Sequence, residues 1–190
     1  MKNKFPLNSL GLTHWFMAEH IRPGDVCIDA TAGKGRDTLF LCRLVGDSGR
    51  VLAMDIQADA VTQTKALLES EGVGHIAQVV QGCHSQMGEY AQPESVDGIM
   101  FNFGWLPGGD HTAFSHPDTS IAAIEAGLAL LKPGGVMSLC IYHGRENGTV
   151  ERDALLAYLP TLDNRRYTVI RSDFTNRTGD VPIPVFIIKE

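Results

Sequence analysis

Val26-Cys27-Ile28-Asp29-Ala30-Thr31-Ala32-Gly33-Lys34-Gly35-Arg36-Asp37-Thr38 is the stretch whose reading decides the fold. It runs from a short apolar strand ending in an acid, through a glycine turn, to residues that open a helix. Twenty residues past Gly35, a second apolar run, Val51-Leu52-Ala53-Met54, ends in Asp55. A strand, a Gly-x-Gly turn and an acid at the tip of the next strand make a nucleoside pocket. Glycines carry no Cβ and let a ligand approach the backbone. The second acid can accept hydrogen bonds from a ribose diol. The dinucleotide form of this turn wants a third glycine at position 38, where this chain has Thr38. S-adenosylmethionine (SAM) is therefore expected in preference to NAD.

Working outward, apolar spacing predicts helices over 10–21, 37–45, 59–71, 120–131 and 150–159. Strands are predicted at 26–29, 51–55, 77–80, 96–102 and 136–142, with two last apolar runs at 167–170 and 185–188. Strands and helices alternate through the fifth strand, which implies parallel pairing with right-handed crossovers. The final two runs have no helix between them and read as an antiparallel hairpin. The expected fold class is α/β. It is a Rossmann-like class I methyltransferase layout: a seven-stranded, mostly parallel sheet with an antiparallel C-terminal hairpin, in a single domain over 1–190. Its ligand should lie at the carboxyl ends of the strands, near the switch point beside the first strand.

Bulk properties narrow the classes. The 190 residues are enough for a substantial core. The formal net charge of −6 argues against broad non-specific nucleic-acid binding. A local basic surface remains open, because Arg145, Arg152, Arg165, Arg166, Arg171 and Arg177 cluster late in the chain. Cys27, Cys42, Cys83 and Cys140 form no C-x-x-C pair and read as reduced thiols. No apolar run is long enough for a membrane span, and Lys2 and Lys4 are followed by no apolar signal core, so a cytoplasmic location is expected. His111 and His116 alone are a weak case for a metal, and none is expected.

The residues beside the strand tips are the site candidates. Asp29 would orient the turn and hold the amino end of SAM, directly or through water; its alternative role is a turn-capping carboxylate. Ala32, Gly33, Lys34 and Gly35 form the cofactor turn, and Asp55 is the ribose acid. Cys83 and His84 follow the third strand, where an adenine ring would rest. Asn102 follows the fourth strand, and its amide oxygen can accept from a substrate amine and aim the lone pair at a methyl carbon. Trp105 can stack on a base, with a loop aromatic as the plain alternative. Asp110 can hold an ammonium or take its proton. Tyr142 and His143 end the fifth strand and are expected to face the same rim.

These stretches also carry a resemblance. Asp29 to Thr38, Met54-Asp55-Ile56-Gln57, Phe101-Asn102-Phe103-Gly104-Trp105-Leu106-Pro107-Gly108-Gly109-Asp110 and Ile141-Tyr142-His143-Gly144 resemble small bacterial "rRNA methylases". Members of that group are understood as SAM-dependent tRNA methyltransferases of the MnmM type. Asn102 to Asp110 is the most specific stretch. The chain departs from the family pattern at Lys34, where Asn is usual, at Arg36, where His is usual, and at Cys83, which replaces a small hydroxyl residue. It also lacks a second His-Pro-Gly element after Tyr142-His143-Gly144-Arg145.

The resemblance implies methylation of the aminomethyl nitrogen of 5-aminomethyl-2-thiouridine at the tRNA wobble position. It implies the tRNA anticodon loop as partner, a SAM contact from Gln57, a homodimer and no membrane. Trp105 and Arg145 would then bind the substrate, while Asn102, Asp110, Tyr142 and His143 would serve the chemistry. Direct transfer without a covalent enzyme intermediate is the expected mechanism. An rRNA or small-amine methyltransferase stays open as the nearer alternative. Thr38 and the C-terminal hairpin disfavour an NAD-dependent oxidoreductase. Asp29, Asp55 and Asn102 disfavour a non-catalytic RNA-binding module.

Overall fold

A computed structural model describes residues 5–104, 116–144 and 146–190. Its elements, in chain order, are α1 (Ser9–His20), β1 (Val26–Asp29), α2 (Arg36–Val45), β2 (Arg50–Asp55), α3 (Ala58–Ser70) and β3 (Ala77–Gln81). A 3-10 turn (His84–Glu89) then leads to β4 (Val96–Phe103), α4 (Pro117–Leu130), β5 (Leu131–Ile141), α5 (Glu146–Tyr158), β6 (Tyr167–Arg171) and β7 (Ile183–Lys189). The sheet has seven strands in the order β3-β2-β1-β4-β5-β7-β6. β1 to β5 pair in parallel. β7 runs antiparallel to both β5 and β6. This is the class I methyltransferase sheet. From β1 the chain builds outward through β2 and β3 on one side, then returns to build β4 and β5 on the other. The tips of β1, β2 and β4 therefore diverge around a crevice at the switch point.

The parallel strands are buried on both faces, so their apolar runs are nearly continuous. Along β4, Ile99, Phe101 and Phe103 enter the core cluster that includes Ile124 of α4 and Leu155 of α5. Met100 enters the opposite cluster, with Met17 of α1 and Leu41 of α2. That two-residue alternation lets one strand serve both layers. Phe101 and Phe103 stack with ring centroids 4.9 Å apart.

Several elements depart from the sequence-based boundaries; α5, for one, begins at Glu146 and not at 150. β5 begins at Leu131 and not at Val136: Val96 pairs with Leu131 and Gly98 with Val136, so Lys132-Pro133-Gly134-Gly135 bulges out of a strand that is paired on both sides of it. Lys132 pins the bulge with its Nζ 2.8 Å from both carboxylate oxygens of Asp97. α4 starts at Pro117, where proline suits the first helical turn because its missing N–H would be unsatisfied anyway. His84 opens a 3-10 turn that the apolar pattern does not announce. Lys189, at the end of β7, is buried, and its ammonium donates to the Leu128 and Leu131 carbonyls at the C-terminal end of α4. Cations are favoured there by the helix dipole. No helix among the described residues is long and apolar enough to cross a membrane.

α1 closes the lower face of the sheet over Gly98. A Cβ at Gly98 would lie 2.5 Å from Ile21 Cδ1 and 2.8 Å from Met17 Cε. Gly98→Ala should therefore overpack this layer and cost about 1–3 kcal/mol. A lowered urea midpoint at unchanged m-value would show it, whereas an unchanged midpoint would mean that α1 yields freely.

Candidate active site

The turn after β1 is organised by a carboxylate that never reaches solvent. Asp29 is fully buried. Its Oδ1 accepts from the Thr31 N–H at 3.2 Å and its Oδ2 from the Thr38 hydroxyl at 2.6 Å. Thr38, at the place of a third dinucleotide glycine, thus ties α2 back to the tip of β1. Gly33 and Gly35 both take positive φ, 53° and 78°. A Cβ at Gly35 would meet the Thr64 backbone of α3 at 2.9 Å, so glycine is required there for packing as well as for conformation.

Asp55 crosses from the tip of β2 to the same turn. Its Oδ2 accepts from the Gly33 N–H and its Oδ1 from the Gln57 N–H, both at 2.9 Å. Each carboxylate oxygen has a further lone pair, which leaves capacity for a diol.

The tip of β4 closes the crevice. The Asn102 N–H donates to Thr31 Oγ1 at 2.7 Å. Its side-chain Nδ2 donates to Asp37 Oδ2 at 2.6 Å. The other Asp37 oxygen lies 2.7 Å from Nε2 of His14 on α1. Asn102 Oδ1 is buried and has no hydrogen-bond partner among the described residues. A buried acceptor left unpaired is costly, so it marks a place where a ligand donor belongs.

A cavity of about 560 Å³ opens among these tips. Ala32, Gly33, Lys34, Asp55, Gln57, Cys83, His84, Asn102 and Tyr142 all line it. Gly35 lies behind the turn against α3, and Asp29 sits beneath it with its oxygens engaged by Thr31 and Thr38, so neither belongs to the lining. Its buried position gives Asp29 the turn-orienting part of the expected role and not direct contact with a ligand in the cavity.

His143 is placed elsewhere. Its Nε2 is 2.9 Å from the Val181 carbonyl, and its Nδ1 lies 3.4 Å from Arg152 and 3.7 Å from Asp180. It lines a second cavity of about 450 Å³ together with Arg152, Arg171 and Arg177. The expectation that His143 shares the rim with Tyr142 is corrected. The two residues follow one another just past β5 and turn into different cavities. Trp105, Asp110, His111 and Arg145 lie outside the described residues.

Sequence reading missed Asp37, Thr31 and His14, and it weighed His116 only as a metal ligand, although His116 lines the first cavity. Asp37 had a local signal, since an acid in a first helical turn is favoured by the helix dipole. His14 had none. No cluster of three His, Cys, Asp or Glu side chains that could hold a metal occurs among the described residues.

Electrostatics separate the possible ligands. Burial, then the nearby Asp37 carboxylate, pushes Asp29 up from 3.8 to about 7, against the bonds from Thr38 and Thr31. Asp29, Asp37 and Asp55 thus gather at the turn, and Lys34 and Arg36, both exposed, line the cavity beside them. Asp37 stands in the first turn of α2, where a dinucleotide pyrophosphate would need free N–H groups and no anion. The Asp37 carboxylate at the start of α2 therefore disfavours a pyrophosphate there. His84 is held below its ordinary pKa by burial, partly offset by Asp55. A neutral imidazole offers one donor and one acceptor to a purine edge.

Comparison with known proteins agrees with this fold. Residues 51–188 match the family model described as "Putative rRNA methylase". The chain belongs to this family. It is 36% identical over 189 residues to the chloroplastic tRNA (mnm(5)s(2)U34)-methyltransferase of Arabidopsis thaliana, covering 94% of this chain and 68% of that protein. A solved structure described as a "putative rRNA-methylase" from Clostridium thermocellum superposes with a TM-score of 0.94 at 36% identity, covering 97% of this chain and 99% of that one. A "putative methyltransferase" from Streptococcus mutans, crystallised with SAH, has a TM-score of 0.87 at 28% identity and the same coverage. The chain is a SAM-dependent methyltransferase, and SAM is its cofactor.

The raised Asp29 pKa makes a stability prediction for the ligand-free protein. Between its ordinary pKa of 3.8 and about 7, folded Asp29 keeps a proton that the unfolded chain has released. The wild-type chain should therefore lose stability as pH rises through that window, relative to Asp29→Asn, which cannot ionise. Urea unfolding of both proteins from about pH 4 to about pH 8 should show the difference changing and then levelling. A difference constant with pH would contradict the buried-acid reading.

Proposed function

We propose that this methyltransferase acts on the aminomethyl nitrogen of 5-aminomethyl-2-thiouridine at the tRNA wobble position. The observation that carries the reading is Asn102 Oδ1, a buried acceptor at the tip of β4 without a partner among the described residues. A primary amine has an N–H to give it. Accepting that N–H turns the nitrogen so that its lone pair is free to point elsewhere in the cavity. When bound, SAM supplies an electrophilic methyl group on its sulfonium.

Asp55 holds the ribose diol, Gln57 and the Gly33 turn bracket the chain beside it, and Cys83 and His84 meet the adenine. Asn102 fixes the amine, and Tyr142, beside it on the cavity wall, limits how the nucleobase enters. Such alignment is worth several kcal/mol, roughly the scale of proximity effects. Asp110 is a further candidate for holding the ammonium before it loses its proton, and Trp105 a candidate for stacking on the splayed base. The relative named as a tRNA (mnm(5)s(2)U34)-methyltransferase supports the choice of nucleoside. The anticodon loop would rest on the face that carries Arg152, Arg171 and Arg177, and His143 belongs with that face and not with the reacting nitrogen.

Calorimetry should give binding of SAM and SAH and none of NAD, and Asp55→Ala should weaken SAM by about 1–3 kcal/mol, the scale of a lost bond to a charged group. Deuterated-methyl SAM incubated with tRNA that carries the unmethylated aminomethyl group should label the wobble nucleoside, read by mass analysis of the digested tRNA. Label on ribosomal RNA or a free amine, with none on this tRNA, would overturn the substrate assignment. Asn102→Ala should leave SAM affinity within about twofold and lower kcat much more than KM is raised, as expected for a contact realised mainly in the transition state. Loss of SAM binding in that variant would instead make Asn102 part of the cofactor pocket.

A further inference from the structure

An asparagine can present either end of its amide to a substrate, and only the surrounding hydrogen bonds decide which. At Asn102 the decision is made by two residues on different helices, His14 of α1 and Asp37 of α2, which meet each other behind the amide. Asp37, at the start of α2, is 8% exposed in its side chain and uses one oxygen for Asn102 Nδ2 at 2.6 Å and the other for His14 Nε2 at 2.7 Å. An ionised carboxylate only accepts. The amide face turned to Asp37 must then be the NH₂, and Oδ1 is left for the ligand. His14 keeps Asp37 in that role by donating from Nε2. Its own ring is fixed by stacking on Phe40 at 4.1 Å with planes 10° apart.

We propose that His14 and Asp37 are positioning residues for methyl transfer: together they lock the Asn102 amide with Oδ1 as the acceptor and raise its strength. The inference rests on the proposed amine substrate. Donation of the amide N–H to a carboxylate polarises the amide and places more negative charge on its oxygen, as in any chain of linked hydrogen bonds. The chain His14–Asp37–Asn102 therefore ends on an oxygen suited to an N–H donor. It suits a neutral amine, which can both donate to Oδ1 and keep a lone pair for attack. His14 does this from α1 without lining the cavity, 23 positions before Asp37.

The test uses the full chain and three variants. His14→Phe keeps a ring for Phe40 and removes the donor; His14→Gln keeps a donor; Asp37→Asn removes the carboxylate that fixes the amide. SAM affinity of His14→Phe should stay within about twofold of wild type, KM for the aminomethyl-thiouridine tRNA within about threefold, and kcat should fall about tenfold or more. His14→Gln should recover most of kcat. In nitrogen-resolved NMR of the ligand-free protein, the Asn102 side-chain amide signals should move in both His14→Phe and Asp37→Asn, and should lie near their wild-type position in His14→Gln.

A wild-type kcat in His14→Phe, or an equal fall in His14→Gln, would overturn the inference, the second outcome assigning His14 to packing alone. Unmoved Asn102 signals in Asp37→Asn would overturn it without reference to activity. If wild-type protein does not methylate this tRNA, the substrate reading fails, and the NMR arm still decides the positioning pair. Should His14→Phe fail to fold, the Asn102 signals in Asp37→Asn decide the inference in its place.

Discussion

The bond from Asn102 Nδ2 to Asp37 Oδ2 spans the point where the sheet changes direction. β1 and α2 belong to the half that continues through β2 and β3; β4 belongs to the half that returns through β5. At the switch point the two halves diverge just past the Ala30 N–H bond to the Met100 carbonyl, and a further join beyond that bond involves side chains. The polar bonds of Asn102 to Asp37 and Thr31 make that join. They hold the β4 tip against the Gly33–Gly35 turn, so that Asn102 Oδ1 and the cavity between the strand tips share one frame. A site whose groups sit on strand ends and a helix start, braced by hydrogen bonds, is more precise than one carried by loops.

The same join concentrates negative charge. Three carboxylates gather around the Gly33–Gly35 turn, each of them bound to backbone N–H groups, hydroxyls, an amide or an imidazole. The buried one is raised toward neutrality, which relieves the repulsion, and the remaining charge favours a cation. The Asp37 carboxylate at the start of α2 separates this turn from one built for a pyrophosphate. Thr38 contributes twice: it lacks the freedom of the dinucleotide glycine, and its hydroxyl pins Asp29.

Much of this is legible in the sequence because it is local. The strand–turn–helix around Gly33 and the acid at the tip of β2 are short-range patterns, and the alternation of elements sets the direction of the sheet. What fails to show is set by distant partners. β5 starts early because Leu131 pairs with Val96, a contact the Lys132–Gly135 turn chemistry obscures. His14 looks like a polar residue on a helix until α1 brings it to Asp37. Tyr142 and His143 are adjacent in sequence and suggest one rim, but successive residues of an extended segment point to opposite sides. His143 accordingly ends beside Arg152 and Val181, in the second cavity.

The most direct test is a high-resolution crystal structure with SAH and an anticodon stem-loop carrying 5-aminomethyl-2-thiouridine. The account predicts the amine nitrogen at about 3 Å from Asn102 Oδ1, the usual hydrogen-bond distance, with Nδ2 still on Asp37. An amide turned over, with Nδ2 on the substrate, or an aminomethyl group bound away from Asn102 would contradict it.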